Sequence, residues 1–327
     1  MGPELPAALS AAAEALLEGA SRRDLAQRSA RVSTAYRGGK TSGSAIVEAA
    51  DAAAYVTARL PATYAAAAAA LAEAADMAPD FAPRSLLDAG AGPGGASWAA
   101  LGVWPGIEAV TLVDANPVFL DMARRLAGAG PEPLARADLR RADLTSPGEG
   151  WPRADLVVTS YALAEIAPER LEAVVAALWE ACAGLLVIVE PGTPAGAARI
   201  RASRELLIRA GAVTAAPCPH DQACPMTAPG WCHFSRRLPR RRDHRLAKGA
   251  DAPFEDEKYA YVVLARPDLA IAARTARVIA PPRSSKPGLT FDLCGPDGLE
   301  RRFVAKRDRT AFAASRRLGW GDRFGFQ

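Results

Sequence analysis

The stretch SLLDAGAGPGG, residues 85–95, decides the fold of this 327-residue chain. A short apolar run is followed by an acid and then by closely spaced glycines, as expected where a buried strand passes into a helix. Similar apolar runs of four to six residues recur downstream, in AVTLVDANP (109–117), ADLVVTSYAL (154–163), LLVIVEPG (185–192) and KYAYVVLARP (258–267). Such runs, separated by helical segments, indicate a parallel sheet that is buried on both faces. The sequence therefore predicts a doubly wound α/β domain.

The amino-acid composition and pattern of the chain change on either side of this domain. Residues 1–82 are rich in alanine and leucine and are expected to form a helical N-terminal region. The α/β domain is expected over 83–268, with a cysteine-rich insertion at 217–245. Residues 269–327 carry alternating apolar residues and a Pro-Asp-Gly turn signal, which predict a small, β-rich, basic C-terminal region. The glycine-rich segment YRGGKTSGS (36–44) lacks the spacing of a phosphate-binding loop and is expected to be a flexible loop.

Composition sets the broad class. Half of the residues are hydrophobic, 23% are charged and the net charge is +4, which is typical of a globular protein. No apolar run reaches membrane-spanning length, so no membrane partner is expected. The first twenty residues lack the features of a signal peptide, and their glutamates argue against an organelle presequence. We therefore expect a cytoplasmic protein, whose five cysteines are more suited to binding metal than to forming disulfides.

The glycine loop indicates a nucleoside cofactor. Its glycines fit the spacing of a dinucleotide-binding loop, but the acid Asp88 and the Pro93-Gly94 step are more similar to a class I S-adenosylmethionine-dependent methyltransferase. Asp114, at the end of the second strand, suits the ribose hydroxyls in either class. For a third acid at the adenine, Asp143 is the candidate and Asp138 the rival. The predicted S-adenosylmethionine-binding residues are Asp88, Gly90, Gly92, Gly94, Asp114, Asp143, Ser160 and Tyr161. The alternative is a related fold that no longer binds the cofactor.

The sequence identifies no catalytic residue. Enzymes that methylate amino groups often carry Asn/Asp-Pro-Pro-Tyr after the fourth strand, whereas this chain has Ser-Tyr-Ala-Leu at 160–163. Glu165 and Glu190 are weak candidates for a general base. If the protein is an enzyme, it is an S-adenosylmethionine-dependent RNA methyltransferase.

Four cysteines are candidate metal ligands. Cys218, Cys224 and Cys232 are separated by gaps of five and seven residues, and Cys294 lies far downstream. Four thiols suit an iron–sulfur cluster or a structural zinc, although zinc sites favour two-residue gaps. His220 or His233 could replace a thiol, and the grouping could also be coincidental. Cys182 lies in an apolar run and is expected to be an ordinary buried thiol.

Basic residues cluster beside these cysteines. Between Arg236 and Lys248 there are seven basic residues and one acid, and between Glu300 and Arg323 there are eight basic residues and three acids. Either cluster alone would suit a solvated face, but two clusters favour a polyanion such as nucleic acid.

These motifs together resemble a known family, the methyltransferase-like assembly factors of the small ribosomal subunit. The resemblance covers most of the chain. It is carried by AYVTARLPATYAA (54–66), LLDAGAGPGGASWAA (86–100), SYALAEI (160–166), CPHDQACP (218–225) and WCHFSRR (231–237).

The resemblance implies a [4Fe–4S] cluster and binding to the small-subunit, 16S-type ribosomal RNA. The implied cluster ligands are Cys218, Cys224, Cys232 and Cys294. The cluster would order an RNA-binding set of arginines, namely Arg236, Arg237, Arg240, Arg241, Arg242 and Arg245. The expected function is ribosome assembly by a chain that is monomeric when free. The family resembled occurs in mitochondria and bacteria, and because no organelle presequence is evident, the bacterial, cytoplasmic form is expected. The alternatives are an active ribosomal RNA methyltransferase and a methyltransferase that acts on a small molecule and whose cysteines bind a structural zinc.

Overall fold

The computed structural model describes residues 4–146 and 151–325. Five helices come first along the chain. Helix α2 begins after Ser21, whose hydroxyl accepts a hydrogen bond from the backbone amide of Asp24. Helix α5 is the most deeply buried of these helices, and its small alanine side chains let it pack closely against the strands of the main sheet. The five helices are α1 (Ala7–Ala15), α2 (Arg22–Arg37), α3 (Ser42–Ala45), α4 (Ala49–Ala58) and α5 (Leu60–Met77).

The main sheet has eight strands. They are β1 (Ser85–Ala89), β2 (Ala109–Asp114), β3 (Asp138–Arg141), β4 (Ala154–Ser160), β5 (Cys182–Pro191), β6 (Val213–Ala216), β7 (Phe234–Pro239) and β8 (Phe254–Ala265). The helices between them are α6 (Gly95–Val103), α7 (Pro117–Ala127), α8 (Glu132–Ala135), α9 (Leu171–Ala181), α10 (Pro194–Arg209) and α11 (Arg242–Lys248).

The strand order is β3-β2-β1-β4-β5-β8-β6, with β7 paired to the outer part of β8. Neighbours from β3 to β5 run parallel, whereas β8 runs antiparallel to both β5 and β6. This order, with one antiparallel strand next to the last, is the class I methyltransferase arrangement. The predicted fold class is therefore confirmed, although the sheet is mixed rather than wholly parallel.

Apolar layers cover both faces of the main sheet. Leu86, Leu112 and Val187 face a layer that includes α5 and α6. Leu87 and Ile188 face a second layer that includes α9 and α10. Burial on both faces explains why the central strands are continuous apolar runs in the sequence. No helix in the described part of the chain is long and apolar enough to cross a bilayer.

A second, smaller sheet follows the main one. Its strands are β9 (Ala276–Val278), β10 (Arg283–Ser284), β11 (Gly288–Gly295), β12 (Gly298–Ala305) and β13 (Arg323–Phe324), and helix α12 spans Arg309–Ser315. Strands β11 and β12 form an antiparallel hairpin whose pairing ends at Gly295 and Gly298, which places the turn at the predicted Pro-Asp-Gly signal. The three-part division of the chain stays a prediction.

Ion pairs tie this second sheet to the end of α5. Arg277 contacts Glu73 at 2.9 Å, and Arg323 contacts Asp76 at 2.7 Å. The backbone amide of Ala272 also donates to the carbonyl of Met77 at 2.7 Å. The second sheet is therefore anchored on the helix that itself packs against the main sheet.

Candidate functional site

The glycine loop turns sharply between β1 and α6. Gly90 has a φ of +75°, and a Cβ at this position would lie 2.3 Å from the Cβ of Ala162, which follows β4. The backbone amide of Gly90 donates to the carbonyl of Val113 at 2.8 Å. Both the left-handed backbone and the close approach require glycine here. The loop is thereby pinned at the carboxyl edge of the sheet, where doubly wound folds bind their ligands.

The two strand-end acids have different surroundings. Asp88 is fully buried, and its Oδ2 accepts hydrogen bonds from the amide and the hydroxyl of Ser97 at 3.0 and 2.6 Å. Burial raises the pKa of Asp88 to about 6. Asp114 accepts hydrogen bonds from the amides of Gly92 and Asn116 at 2.7 and 2.8 Å, and burial raises its pKa. Asp88 thus fixes the start of α6 from beneath the loop, whereas Asp114 holds the loop itself.

A cavity of about 1530 Å³ opens above the loop. Asp88 and Gly94 do not line it. Asp143 does, and it accepts two hydrogen bonds from Thr145, whereas the rival Asp138 lies at the other end of β3 and pairs with Arg140. The predicted cofactor residues that line the cavity are Gly90, Gly92, Asp114, Asp143, Ser160 and Tyr161.

The segment expected to be a flexible loop, residues 36–44, is instead tied to the rim of this cavity. The amide of Ser42 donates to the carboxylate of Glu165 at 2.6 Å. The side-chain amide of Asn116 donates to the carbonyls of Ser42 and Ile46, both at 3.0 Å. Sequence reasoning missed Ser42 and Asn116 because their contacts join segments far apart in the chain.

The two weak candidates for a base differ in their access to the cavity. Glu165 lines it, and burial raises the pKa of Glu165. Glu190 lies beneath the surface, where its Oε2 accepts from the guanidinium of Arg199 at 2.6 Å. Burial raises the pKa of Glu190 to about 7. Arg199 itself lines the cavity, so Glu190 is linked to the cavity wall through Arg199.

Tyr161 has an unusual backbone and a fixed side chain. Its φ is +62°, in the left-handed region that few non-glycine residues adopt. Its hydroxyl donates to Glu257 at 2.8 Å, and Glu257 also pairs with Arg59 at 3.2 Å. This network joins the segment after β4 to β8 and α4–α5 at the wall of the cavity.

The four candidate thiols converge where the two sheets meet. Cys218 follows β6, Cys224 and Cys232 lie in the irregular segment before β7, and Cys294 lies on β11. Cys294 is the register partner of Arg277, and Arg277 donates to the carbonyl of Pro217 at 3.2 Å. Burial raises the pKa of the Cys232 thiol well above its usual value, and the thiolates of the other three cysteines raise it further. The contacts of Arg277 bring Cys294 and the segment that begins at Cys218 to one junction, and the binding of all four thiols to one group stays a prediction.

Two buried arginines flank the thiols, and sequence reasoning missed both. Arg204 on α10 is 2% exposed and donates to the carbonyls of His220 and Gln222. Its Nε has no hydrogen-bond partner. Arg277 is 3% exposed. Burial raises the pKa of Cys218, and both guanidiniums oppose that increase by favouring the thiolate. The site is thus built to hold negative charge.

The arrangement of these thiols bears on which metal they fit. A single zinc ion would need its ligands about 2.3 Å from one centre, which brings sulfur atoms within about 4 Å of one another. Among the residues that the structure describes, no group of three or more histidines, cysteines, aspartates and glutamates is arranged to hold a metal ion. The iron–sulfur cluster and the structural zinc therefore both stay predictions from the sequence. Cys182 lies elsewhere and is fully buried, as expected.

The six predicted RNA-binding arginines fall into two sets. Three form ion pairs: Arg237 with Asp256 through two hydrogen bonds, Arg240 with Glu255 at 3.0 Å, and Arg241 with Glu14. The guanidinium of Arg237 also lies 4.1 Å from the ring centroid of Phe254. No ion pair with an acid in the described ranges involves the other three, which are Arg236, Arg242 and Arg245.

Comparison with known proteins adds the following. A family model described as mitochondrial small ribosomal subunit Rsm22 matches residues 49–325. The human mitochondrial ribosome assembly protein METTL17 is 30% identical over 288 residues, which cover 82% of this chain and 61% of METTL17. The Rsm22-cox11 tandem protein 2 of Schizosaccharomyces pombe, also mitochondrial, is 26% identical over 330 residues, which cover 83% of this chain and 42% of that protein. The chain thus spans less than two thirds of each relative.

A solved structure of human N-acetylserotonin methyltransferase in complex with S-adenosylmethionine is also similar. Its TM-score is 0.43 and its identity is 13%, and the match covers 76% of this chain and 68% of that one. The expected bacterial, cytoplasmic location is wrong, because the matched family, METTL17 and the Schizosaccharomyces pombe protein are all described as mitochondrial.

Proposed function

The chain belongs to the Rsm22 family of mitochondrial small ribosomal subunit proteins, and we propose that it assists assembly of that subunit by binding its RNA. The name of the human relative, a ribosome assembly protein, supports this function. The basic residues of β7 and α11 supply the chemistry, because guanidiniums bind phosphates through paired hydrogen bonds and stack on unpaired bases.

The six arginines have two different roles in this proposal. Arg236, Arg242 and Arg245 have no acidic partner among residues 4–146 and 151–325, and they are the cations offered to RNA. Arg237, Arg240 and Arg241 are held by acids, so they shape the β7–α11 surface and contribute less net charge. These three cations should together contribute about −2 to the slope of the logarithm of RNA affinity against the logarithm of salt for a single strand.

We further propose that Cys218, Cys224, Cys232 and Cys294 hold a [4Fe–4S] cluster. The support is that Arg277 is the register partner of Cys294 and donates to the carbonyl of Pro217, next to Cys218, and that Arg204 and Arg277 are buried cations at this junction. The cluster would supply a crosslink between the segment before β7 and strand β11. Holding β7 in place lowers the entropy lost when its arginines bind RNA.

The cavity above the glycine loop is proposed to bind S-adenosylmethionine. Gly92 leaves open space there, since a Cβ at this position would meet no atom within 4 Å. The oxygens of Asp114 each accept one hydrogen bond from the backbone and retain further lone pairs for ribose hydroxyls. Asp143, Ser160 and Tyr161 would line the remainder of the cofactor site. Asp88 and Gly94 would shape the loop without contacting the cofactor.

A second candidate function is methyl transfer to ribosomal RNA. The observation that favours it is the size of the cavity, about 1530 Å³, which exceeds the roughly 300–1,000 Å³ of ordinary ligand pockets and leaves space for an acceptor nucleotide. Calorimetry with S-adenosylmethionine tests the first requirement, and transfer of a labelled methyl group to small-subunit RNA tests the second. Absence of cofactor binding would exclude this candidate and leave the assembly function standing.

Two measurements test these proposals. The first measures the metal content and tests the cluster, and the second measures RNA binding and tests the assembly function. After anaerobic purification, we expect about four irons and four sulfides per chain and little zinc. Cys294→Ser should lose this iron, whereas Cys182→Ala should retain it because Cys182 lies outside the site. Small-subunit RNA should bind the intact chain, with weaker and less salt-sensitive binding for Arg242→Gln. A zinc-only protein would refute the cluster, and failure to bind the RNA would refute the assembly function.

A further inference from the structure

Strand β12 presents exposed apolar and basic side chains that the proposed function does not yet use. Phe303 is 51% exposed and Leu299 is 48% exposed. Arg301 lies between them with its side chain 68% exposed. Within the described residues, β12 pairs with β11 on one side and has no strand on its other side. Single exposed apolar residues are ordinary, but here an aromatic ring and a leucine alternate with a cation on one strand.

The strand register shows which side chains share a face. Phe303 is paired with Thr290, which is also paired with Arg283 of β10. Arg301 is paired with Asp292, and Leu299 with Cys294. Paired residues of an antiparallel ladder point to the same side of the sheet. We call the part of this side that lies beyond Cys294 the outer face, and it comprises Arg283, Thr290, Asp292, Leu299, Arg301 and Phe303.

The opposite side of the same strands is the core of the second sheet. Phe291 and Leu293 are fully buried there, together with Val304 and Phe324. The apolar residues of the outer face are therefore not needed for the internal packing of this sheet. Because Leu299 is paired with Cys294, the outer face begins beside the four-thiol site and extends away from it.

The outer face carries excess positive charge. Asp292 accepts from Arg301 at 2.7 Å and from Arg283 at 3.2 Å, so two cations share one anion. The flanking segment from Glu300 to Arg323 holds eight basic residues and three acids. Such a surface is complementary to a polyanion. An aromatic ring among guanidiniums further favours a polyanion with exposed π-faces, because bases stack on the ring while phosphates meet the cations.

We propose that the outer face binds single-stranded RNA, with one unpaired base stacked on Phe303 and a flanking phosphate held between Arg283 and Arg301, which share the single anion Asp292. This inference rests on the proposed RNA-binding function and adds a second contact surface to that of β7 and α11. A duplex is a poor ligand for this surface, because its paired bases hide the faces that Phe303 would contact.

The test compares variants of the full, anaerobically purified chain by fluorescence anisotropy. The probes are a labelled oligouridylate of about 12 nucleotides, within the usual site size for such surfaces, and an RNA duplex of equal length. Phe303→Leu keeps the apolar volume and removes the aromatic plane, and we expect it to weaken oligouridylate binding roughly tenfold. Phe303→Tyr keeps the aromatic plane and should bind oligouridylate like the unmodified chain. Binding to the duplex should not change in either variant.

A second pair of variants tests the cations. Arg301→Gln should reduce the salt slope for oligouridylate by about 0.7. Arg84→Gln is the matched control, because Arg84 is 67% exposed and ion-paired to Glu108, outside the second sheet. It should leave the salt slope unchanged.

Several outcomes would overturn the inference. Unchanged oligouridylate binding by Phe303→Leu would do so. If this variant also no longer associated with small ribosomal particles, the outer face would be a binding site for a protein instead. If Phe303→Leu does not fold, an unchanged salt slope for Arg301→Gln decides against the inference. If the unmodified chain binds neither RNA, the proposed function itself fails, which distinguishes the two failures.

Discussion

Replacing Asp88 with asparagine should remove a pH dependence of stability that burial of this carboxyl group produces. Asp88 is fully buried, and burial raises its pKa from 3.8 to about 6. Between these values the folded chain holds a proton that the unfolded chain has lost, so stability falls as pH rises through this window. The difference of about 2.2 pKa units, at about 1.36 kcal/mol each, corresponds to about 3 kcal/mol. Asparagine stays neutral at every pH, so the Asp88→Asn variant does not lose this part of its free energy of unfolding as pH rises.

The assay is unfolding in urea, followed by tryptophan fluorescence at several pH values between 4 and 8. Relative to the unmodified chain, Asp88→Asn should gain about 3 kcal/mol in its free energy of unfolding from the bottom to the top of this range. Subtracting the two curves at each pH removes effects common to both chains. Asp121→Asn is the control, because Asp121 is exposed and pairs with Arg124 at the surface, where such a pair contributes little. A difference curve that stays flat with pH would refute the reasoning.

Three further predictions concern the loop and the thiol site. Gly90→Ala should destabilise the chain by about 2 kcal/mol or more in urea unfolding, because its Cβ would meet Ala162 at 2.3 Å. Gly102→Ala, in open space on α6, should be neutral or stabilising by up to about 1 kcal/mol. Arg204→Met should lose iron to a chelator faster than the exposed control Arg209→Met, and equal rates would count against a role for the buried charge. Removal of the metal should expose the amides of residues 218–232 to hydrogen exchange while those of β11 and β12 stay protected; loss of protection in all of them would contradict this.

The sequence predicted the central strands correctly because burial on both faces leaves a simple signature. Strands β1, β2, β4 and β5 are each built around a short apolar run, and apolar layers cover both faces of the sheet that they form. The direction of β8 could not be predicted in this way, since a buried strand has the same apolar run whether it lies parallel or antiparallel to its neighbours. The short strands β6 and β7 carry too few residues for a clear period.

The candidate site was predictable in its residue types but not in its contacts. The spacing of Asp88 and Asp114 placed both acids at strand ends, yet only the fold shows that Asp88 points beneath the loop towards Ser97. Arg204 lies in a helix whose charged residues suggest a solvent-exposed surface, and its burial depends on carbonyls from a distant segment. Likewise, the run of arginines after Cys232 suggested six free cations. Half of them are paired with acids such as Glu14, whose position in the fold no local pattern indicates.

The junction between the two sheets shows why a crosslink there would have a local effect. The second sheet does not depend on the thiols alone, because Arg277 and Arg323 pair with acids at the end of α5. The segment from Cys218 to Cys232 has no strand or helix of its own, and its backbone is held chiefly by side chains such as Arg204. A cluster would therefore stabilise mainly this segment and the entry to β7. Since β7 carries Arg236 and leads into α11, metal loss should weaken RNA binding through β7 and α11, while the outer face on β12 remains in place.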